Sequence, residues 1–173
     1  MEEQIKNSKS ASKFKGTQLD LSAIDETQFL GYDRLNAEGK VLGLWDDDLQ
    51  VDSATPGKEY ILALDQSPFY AESGGQVGDQ GEFSGSNGSG QVVDCIKQGK
   101  IFLHKVNLEK GSIKLNDTLK LSVAPMMRSD AASNHSATHL MYAALKHVLG
   151  NHVEQKGSLV DSSKLRFDFS HPK

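Results

Sequence analysis

The chain has 173 residues, 37% hydrophobic and 24% charged, which suits a soluble globular protein of one domain or two small ones with a real core. Its formal net charge of −4 argues against a free-standing nucleic-acid binder driven by a broad basic surface, but leaves room for one nucleotide end entering a narrow pocket. No apolar run reaches the length of a membrane span, and the opening "MEEQIKNSKSASKFKG" has no secretory h-region. A single cysteine, Cys95, allows no intrachain disulfide and fits a reducing compartment, so a cytoplasmic location without membrane contact is expected.

Residues 1–15 are polar and Lys/Ser-rich, and read as a tail or as the end of a preceding helix. Residues 16–124 are strand-like. "FLGY" (29–32), "VLGL" (41–44), "EYILAL" (59–64), "QVVDCI" (91–96), "IFLHKV" (101–106) and "LKLSV" (119–123) are short, rich in β-branched residues and separated by turn formers. This pattern predicts a small antiparallel β-barrel. The run Asp46-Asp47-Asp48 reads as a solvated turn, and "GEFSGSNGSGQ" (81–91) as a flexible hairpin end. "ESGGQVGDQG" (72–81) has two readings: backbone N–H groups gathered for a phosphate or a nucleotide end, or a tight turn between strands.

The period changes at Pro125, a good first-turn residue, and residues 125–149 read as a helix ending at Gly150. "GSLVDSSKLRFDF" then returns to strand character. One helix and one or two strands cannot bury both of their faces, so this second unit is expected to be incomplete. The fold class is therefore α+β: a small antiparallel barrel followed by the first helix and strands of an α+β core.

Two histidines, His135 and His139, stand one turn apart on this helix. With His135 at 0°, His139 falls at about 40° and the apolar Ala137, Leu140, Met141, Ala144, Leu145 and Val148 between about 140° and 280°. The pair therefore lies opposite the apolar stripe, facing either solvent or a site built by another part of the chain. HxxxH can give two nitrogens to one zinc ion, but the metalloprotease pattern HExxH needs a glutamate where this chain has Ser136. Other polar residues have two readings each. Thr138 can meet a substrate hydroxyl or bond back to the preceding turn. Gln155 can orient water or an ester carbonyl, or lie on the surface. Arg166 and Asp168 share one face of "LRFDF", towards a site or as a structural salt bridge.

"NHSATHLMYAALKHVLGNHVEQKGSLVDSSKLRFDFSH" resembles the editing domain of the alanyl-tRNA synthetases, and "QSPFYAESGGQVGDQGEF" resembles the Gly-rich segment that precedes it. The order agrees too: strands, Gly-rich loop, Arg128, HSATH, RFDFSH. The resemblance covers roughly residues 28–173 and makes 125–173 the N-terminal part of an editing domain. It implies a module of a large ligase that charges tRNA(Ala) with alanine, using ATP and Mg in a domain this segment does not carry. The editing site of that family hydrolyses Ser-tRNA(Ala) and Gly-tRNA(Ala). The implied partners are the aminoacylated 3′ end of tRNA(Ala) and the remaining domains of the ligase.

By the same resemblance His135 and His139 are zinc ligands. Thr138 and Gln155 are catalytic-site residues, and Gly74, Gly75, Gln76, Arg166 and Asp168 contact substrate. The family completes its zinc shell with a downstream Cys and His spaced CxxxH. Cys95 lies upstream without that spacing, and His171 belongs to the RFDFSH strand end, so neither matches. The chain by itself is therefore expected to bind zinc poorly and to be inactive, with both histidines facing solvent. Two further functions share these features: a free-standing hydrolase of mischarged tRNA, and a non-catalytic barrel that docks tRNA.

Overall fold

A computed structural model describes residues 19–171. The tail assigned to residues 1–15, and the barrel start placed at residue 16, lie outside the described residues. In chain order the elements are β1 (Gln28–Phe29), β2 (Asn36–Asp46), β3 (Leu49–Gln50), β4 (Ser53–Ala54), β5 (Glu59–Leu64), β6 (Gln66–Ser67) and β7 (Gly81–Ser84). They continue with β8 (Gly88–Gln98), β9 (Ile101–Gly111), β10 (Ile113–Lys114), β11 (Thr118–Val123), a helix α1 (Pro125–Leu149), β12 (Glu154–Val160) and β13 (Leu165–Ser170).

Six antiparallel strands, in the order β11-β7-β8-β9-β5-β2, close into a barrel because β11 also pairs with β2. At the seam Leu121 lies opposite Phe83 on one side and Ala37 on the other. Closure leaves these strands no open edge. β11 shows the alternation that a one-sided wall requires: Leu119, Leu121 and Val123 are buried and Thr118, Lys120 and Ser122 exposed. β5 differs, with five consecutive buried residues. Tyr60, Leu62 and Leu64 join the barrel core, while Ile61 and Ala63 join an outer cluster with Leu19, Trp45 and Leu103. That double burial is why "EYILAL" reads as a continuous apolar run.

One polar pair is sealed in this barrel. His104, fully buried, places Nε2 2.7 Å from Ser67 Oγ and Nδ1 3.3 Å from the Leu62 carbonyl. A carbonyl only accepts, so Nδ1 carries the ring proton and Ser67 donates to Nε2. Ser67 Oγ in turn accepts from the Phe69 N–H at 3.1 Å. Burial pushes His104 down to about 4, partly offset by the bond to Leu62.

Two strand-level expectations are corrected. "FLGY" is not a strand of four: only Gln28–Phe29 pairs, in parallel with β6, and Gly31-Tyr32 turns away with Tyr32 93% exposed. "GEFSGSNGSGQ" is mostly strand rather than loop, since only residues 85–87 lie between β7 and β8. Its Gly90 serves close approach, because a Cβ there would sit 2.1 Å from the Asn107 carbonyl oxygen and 2.9 Å from the Phe83 ring. The Asp46–Asp48 run forms the β2–β3 turn, with Asp47 at φ 53°.

α1 starts at Pro125, and Gly150 donates its N–H to the Lys146 carbonyl at 3.0 Å. The helix packs on β12 and β13, with the Tyr142 and Phe167 rings 5.3 Å apart. Its buried residues are Ala131 and Thr138, while Leu140 and Val148 of the apolar stripe are 72% and 76% exposed. Ala137, Met141 and Leu145 of the stripe are half-buried and His139 is exposed, so the docked face, centred on Ala131 and Thr138, lies between the stripe and the histidine pair. Among the described residues no helix is long and apolar enough to cross a membrane.

Candidate functional site

The Gly-rich loop enters the second unit as a tight turn. Ser73 and Gln76 exchange backbone bonds, with N–H to carbonyl distances of 3.2 and 3.0 Å, around Gly74 (φ 60°) and Gly75 (φ 84°). Two central residues with positive φ define a type I′ turn, which glycine adopts without strain. Beyond it the loop lies along β12. The Val160 N–H donates to the Gly75 carbonyl at 2.8 Å, the Val77 N–H donates to the Val160 carbonyl at 3.0 Å, and Gln76 and Val160 form a parallel bridge. The N–H groups of Ser73, Gln76 and Val77 are thus engaged within the protein.

Gln76 is 6% exposed and meets the helix. His135 Nδ1 lies 2.7 Å from Gln76 Oε1, and the His135 and His139 rings are stacked at 4.9 Å and 24°. His135 is half-buried and His139 exposed. The expectation that both histidines face solvent is corrected for His135: the turn at Gly74-Gly75 delivers the Gln76 side chain to it.

Thr138 is buried and its hydroxyl donates to the Asn134 carbonyl at 2.8 Å, while the Asn134 amide donates to the Asp161 carbonyl at 2.9 Å in the β12–β13 turn. Gln155, exposed on β12, donates to Ser158 Oγ at 3.2 Å, and Ser158 Oγ lies 3.4 Å from the Gly74 carbonyl. Gln155 and the Gly74-Gly75 turn are thereby joined through one serine. Arg166 Nε and Asp168 Oδ2 pair at 3.2 Å on the exposed face of β13.

Several partners were not visible in the sequence. Asp79 receives the Arg128 guanidinium, Asn134 reaches the hairpin turn, and His152 stacks on His171 at 5.1 Å with ring nitrogens 2.9 Å apart. The last pairing follows from the hairpin register: Glu154 opposite Ser170 brings the residues near both strand ends together.

For zinc, the donor set fits by half. Two near-parallel imidazoles one helical turn apart suit two corners of a tetrahedral shell, and the His135 Nδ1 contact leaves Nε2 for the metal. Among the described residues no group of three or more His, Cys, Asp or Glu converges. Cys95 is buried in the barrel core, where burial pushes its thiol well up. A family model described as tRNA synthetases class II (A) matches residues 1–126, the barrel and the first residues of α1.

Proposed function

The chain belongs to the class II (A) tRNA synthetases, a family of aminoacyl-tRNA synthesis with tRNA as partner, and from that premise we propose that it is part of an alanine–tRNA ligase. In this reading residues 125–173 contribute to a zinc-dependent site that hydrolyses Ser-tRNA(Ala) and Gly-tRNA(Ala). The observation that carries it is the stacked pair of His135 and His139, set against the Gly74-Gly75-Gln76 turn and the β12–β13 hairpin. The resemblance of HSATH and RFDFSH to the editing domain supports the same reading.

The reaction adds water across an aminoacyl ester: a water oxygen bonds to the carbonyl carbon, the bond to the ribose oxygen breaks, and a proton passes to the released hydroxyl. His135 and His139 would hold zinc, with a Cys and a His further along the ligase as the remaining ligands. A bound zinc supplies a Lewis acid for positioning or polarising at this centre. Thr138 already donates its hydroxyl proton to Asn134, so its oxygen serves as an acceptor for the hydroxyl of a serine substrate. Serine then gains a bond that alanine cannot make. Gln155, tied through Ser158 to the Gly-rich turn, orients the water or the ester carbonyl. Gly74, Gly75, Arg166 and Asp168 line the approach of the 3′ end. ATP and Mg would act in the ligase's activation domain.

The test uses a longer form that includes the downstream CxxxH. His135→Ala and His139→Ala should each lower bound zinc and the hydrolysis of Ser-tRNA(Ala), while aminoacylation persists. Unchanged zinc and hydrolysis in both variants would overturn the assignment.

A further inference from the structure

We propose that Gln76 is a positioning residue for His135: its side-chain oxygen accepts the Nδ1 proton and so leaves Nε2 as the ring nitrogen with a free lone pair. The inference rests on the reading of His135 as a metal ligand and names a residue outside the helix that prepares it. A neutral imidazole carries one proton on one of two nitrogens. Gln76 Oε1 lies 2.7 Å from Nδ1, and an amide oxygen can only accept, so the proton sits on Nδ1. A free neutral histidine prefers its proton on Nε2, which would block ligation through that atom. The bond to Gln76 reverses this preference. Histidines that bind metals commonly donate their other N–H to a fixed acceptor, which sets the tautomer and the ring plane.

Gln76 is built to be such an acceptor. It is 6% exposed, so no bulk water competes freely for its oxygen. Its backbone is fixed twice: by the Gly74-Gly75 turn with its two bonds to Ser73, and by the bridge to Val160. The helix is fixed in its first turn, seven residues before His135, where Arg128 reaches Asp79, Gly31 and Pro68. Gln76 lies in the loop that leads into barrel strand β7 and His135 lies on α1, so a loop of the barrel sets the proton position of a ring on the helix. This gives the Gly-rich loop a task that does not require it to touch tRNA.

The experiment uses the 173-residue chain with ¹⁵N-labelled histidine, at about pH 9, where imidazoles of ordinary pKa are neutral. Long-range ¹H–¹⁵N correlation should show His135 protonated on Nδ1, a readout that needs no variant. Gln76→Leu should move the proton to Nε2 in most molecules, and Gln76→Glu, which still offers an acceptor oxygen, should return it to Nδ1. Zinc chloride added near neutral pH to the longer form that includes the downstream CxxxH should perturb His135 Nε2, with about 10- to 100-fold weaker binding in Gln76→Leu. His135 protonated on Nε2 in the parent chain, a proton that stays on Nδ1 in Gln76→Leu, or equal zinc affinity with and without Gln76 would each overturn the proposal. Tautomers that behave as expected while zinc moves neither histidine in that longer form would support the hold of Gln76 on the ring and remove the metal reading instead.

Discussion

Arg128 and Asp79, 49 residues apart, make the joint between the helix and the barrel. Nε of Arg128 reaches both carboxylate oxygens, at 3.0 and 2.8 Å, and a terminal nitrogen pairs closely with Oδ2. Two further N–H groups go to the carbonyls of Gly31 at 2.8 Å and Pro68 at 2.9 Å. Asp79 also accepts the Tyr70 N–H at 2.8 Å, so both charged groups are well satisfied by hydrogen bonds. The side chains are 17% and 5% exposed, which makes this a desolvated pair rather than a surface ion pair.

Removing one partner of such a pair strands the other charge. Asp79→Asn or Arg128→Leu should therefore cost about 3–5 kcal/mol, read from the urea midpoint. Arg128→Lys should lose most of the same amount, because an ammonium cannot span the carboxylate and two carbonyls at once. A midpoint change worth less than about 0.5 kcal/mol would show that water replaces the joint at no cost.

The turn at Gly74-Gly75 separates conformational strain from collision. An alanine at Gly74 meets nothing within 4 Å, so Gly74→Ala should cost only the left-handed backbone penalty of about 1–2 kcal/mol. A Cβ at Gly75 would sit 2.1 Å from Ser158 Oγ and 2.8 Å from the Ser158 carbonyl oxygen. Gly75→Ala should cost clearly more and loosen the contact of the loop with β12, seen as faster amide exchange at Val77 and Val160. Equal effects of the two variants would mean that strand β12 moves aside freely.

The pattern of residues carried the barrel and the helix limits, because these depend on local periodicity and caps. β5 reads as apolar throughout because it faces two clusters, and α1 begins at its proline and ends at its glycine. The docked face of the helix was not legible. Helical geometry puts the apolar stripe opposite His135, and burial alone would turn that stripe inward. The observed orientation is set by contacts across 49 residues to Asp79 and 59 residues to Gln76, which no local window contains. The same holds for the Gly/Ser stretch after Gly81, where small residues mark close packing against Phe83 and Asn107 rather than mobility.

His104 gives the protein an acid sensitivity with a definite sign. Its folded-state pKa is lowered from 6.5 to about 4, so below pH 6.5 the unfolded chain binds the proton first. Stability should be full above pH 6.5, fall as pH drops towards 4, and change no further from this group below that. A shift of this size corresponds to at most about 3 kcal/mol. Urea unfolding across this range should show the loss, and His104→Leu should remove that part of the slope at the cost of the bond to Ser67. A His104 variant with the same acid slope as the parent would assign the sensitivity to other groups.

The two zinc-candidate histidines should be equivalent for the metal and unequal for the fold. Either substitution removes one nitrogen from the helix, so in the longer form His135→Ala and His139→Ala should lower zinc binding alike. His135→Ala also deprives the buried Gln76 oxygen of its donor at 2.7 Å, and a buried polar atom without a partner costs about 1–3 kcal/mol. His139 is exposed, and alanine is the better helix former, so His139→Ala should change stability by no more than about 0.5 kcal/mol. Paired urea titrations of the 173-residue variants measure the difference without any metal. If both variants unfold at the same midpoint, water replaces His135 at Gln76 and the contact between loop and helix contributes nothing to the fold.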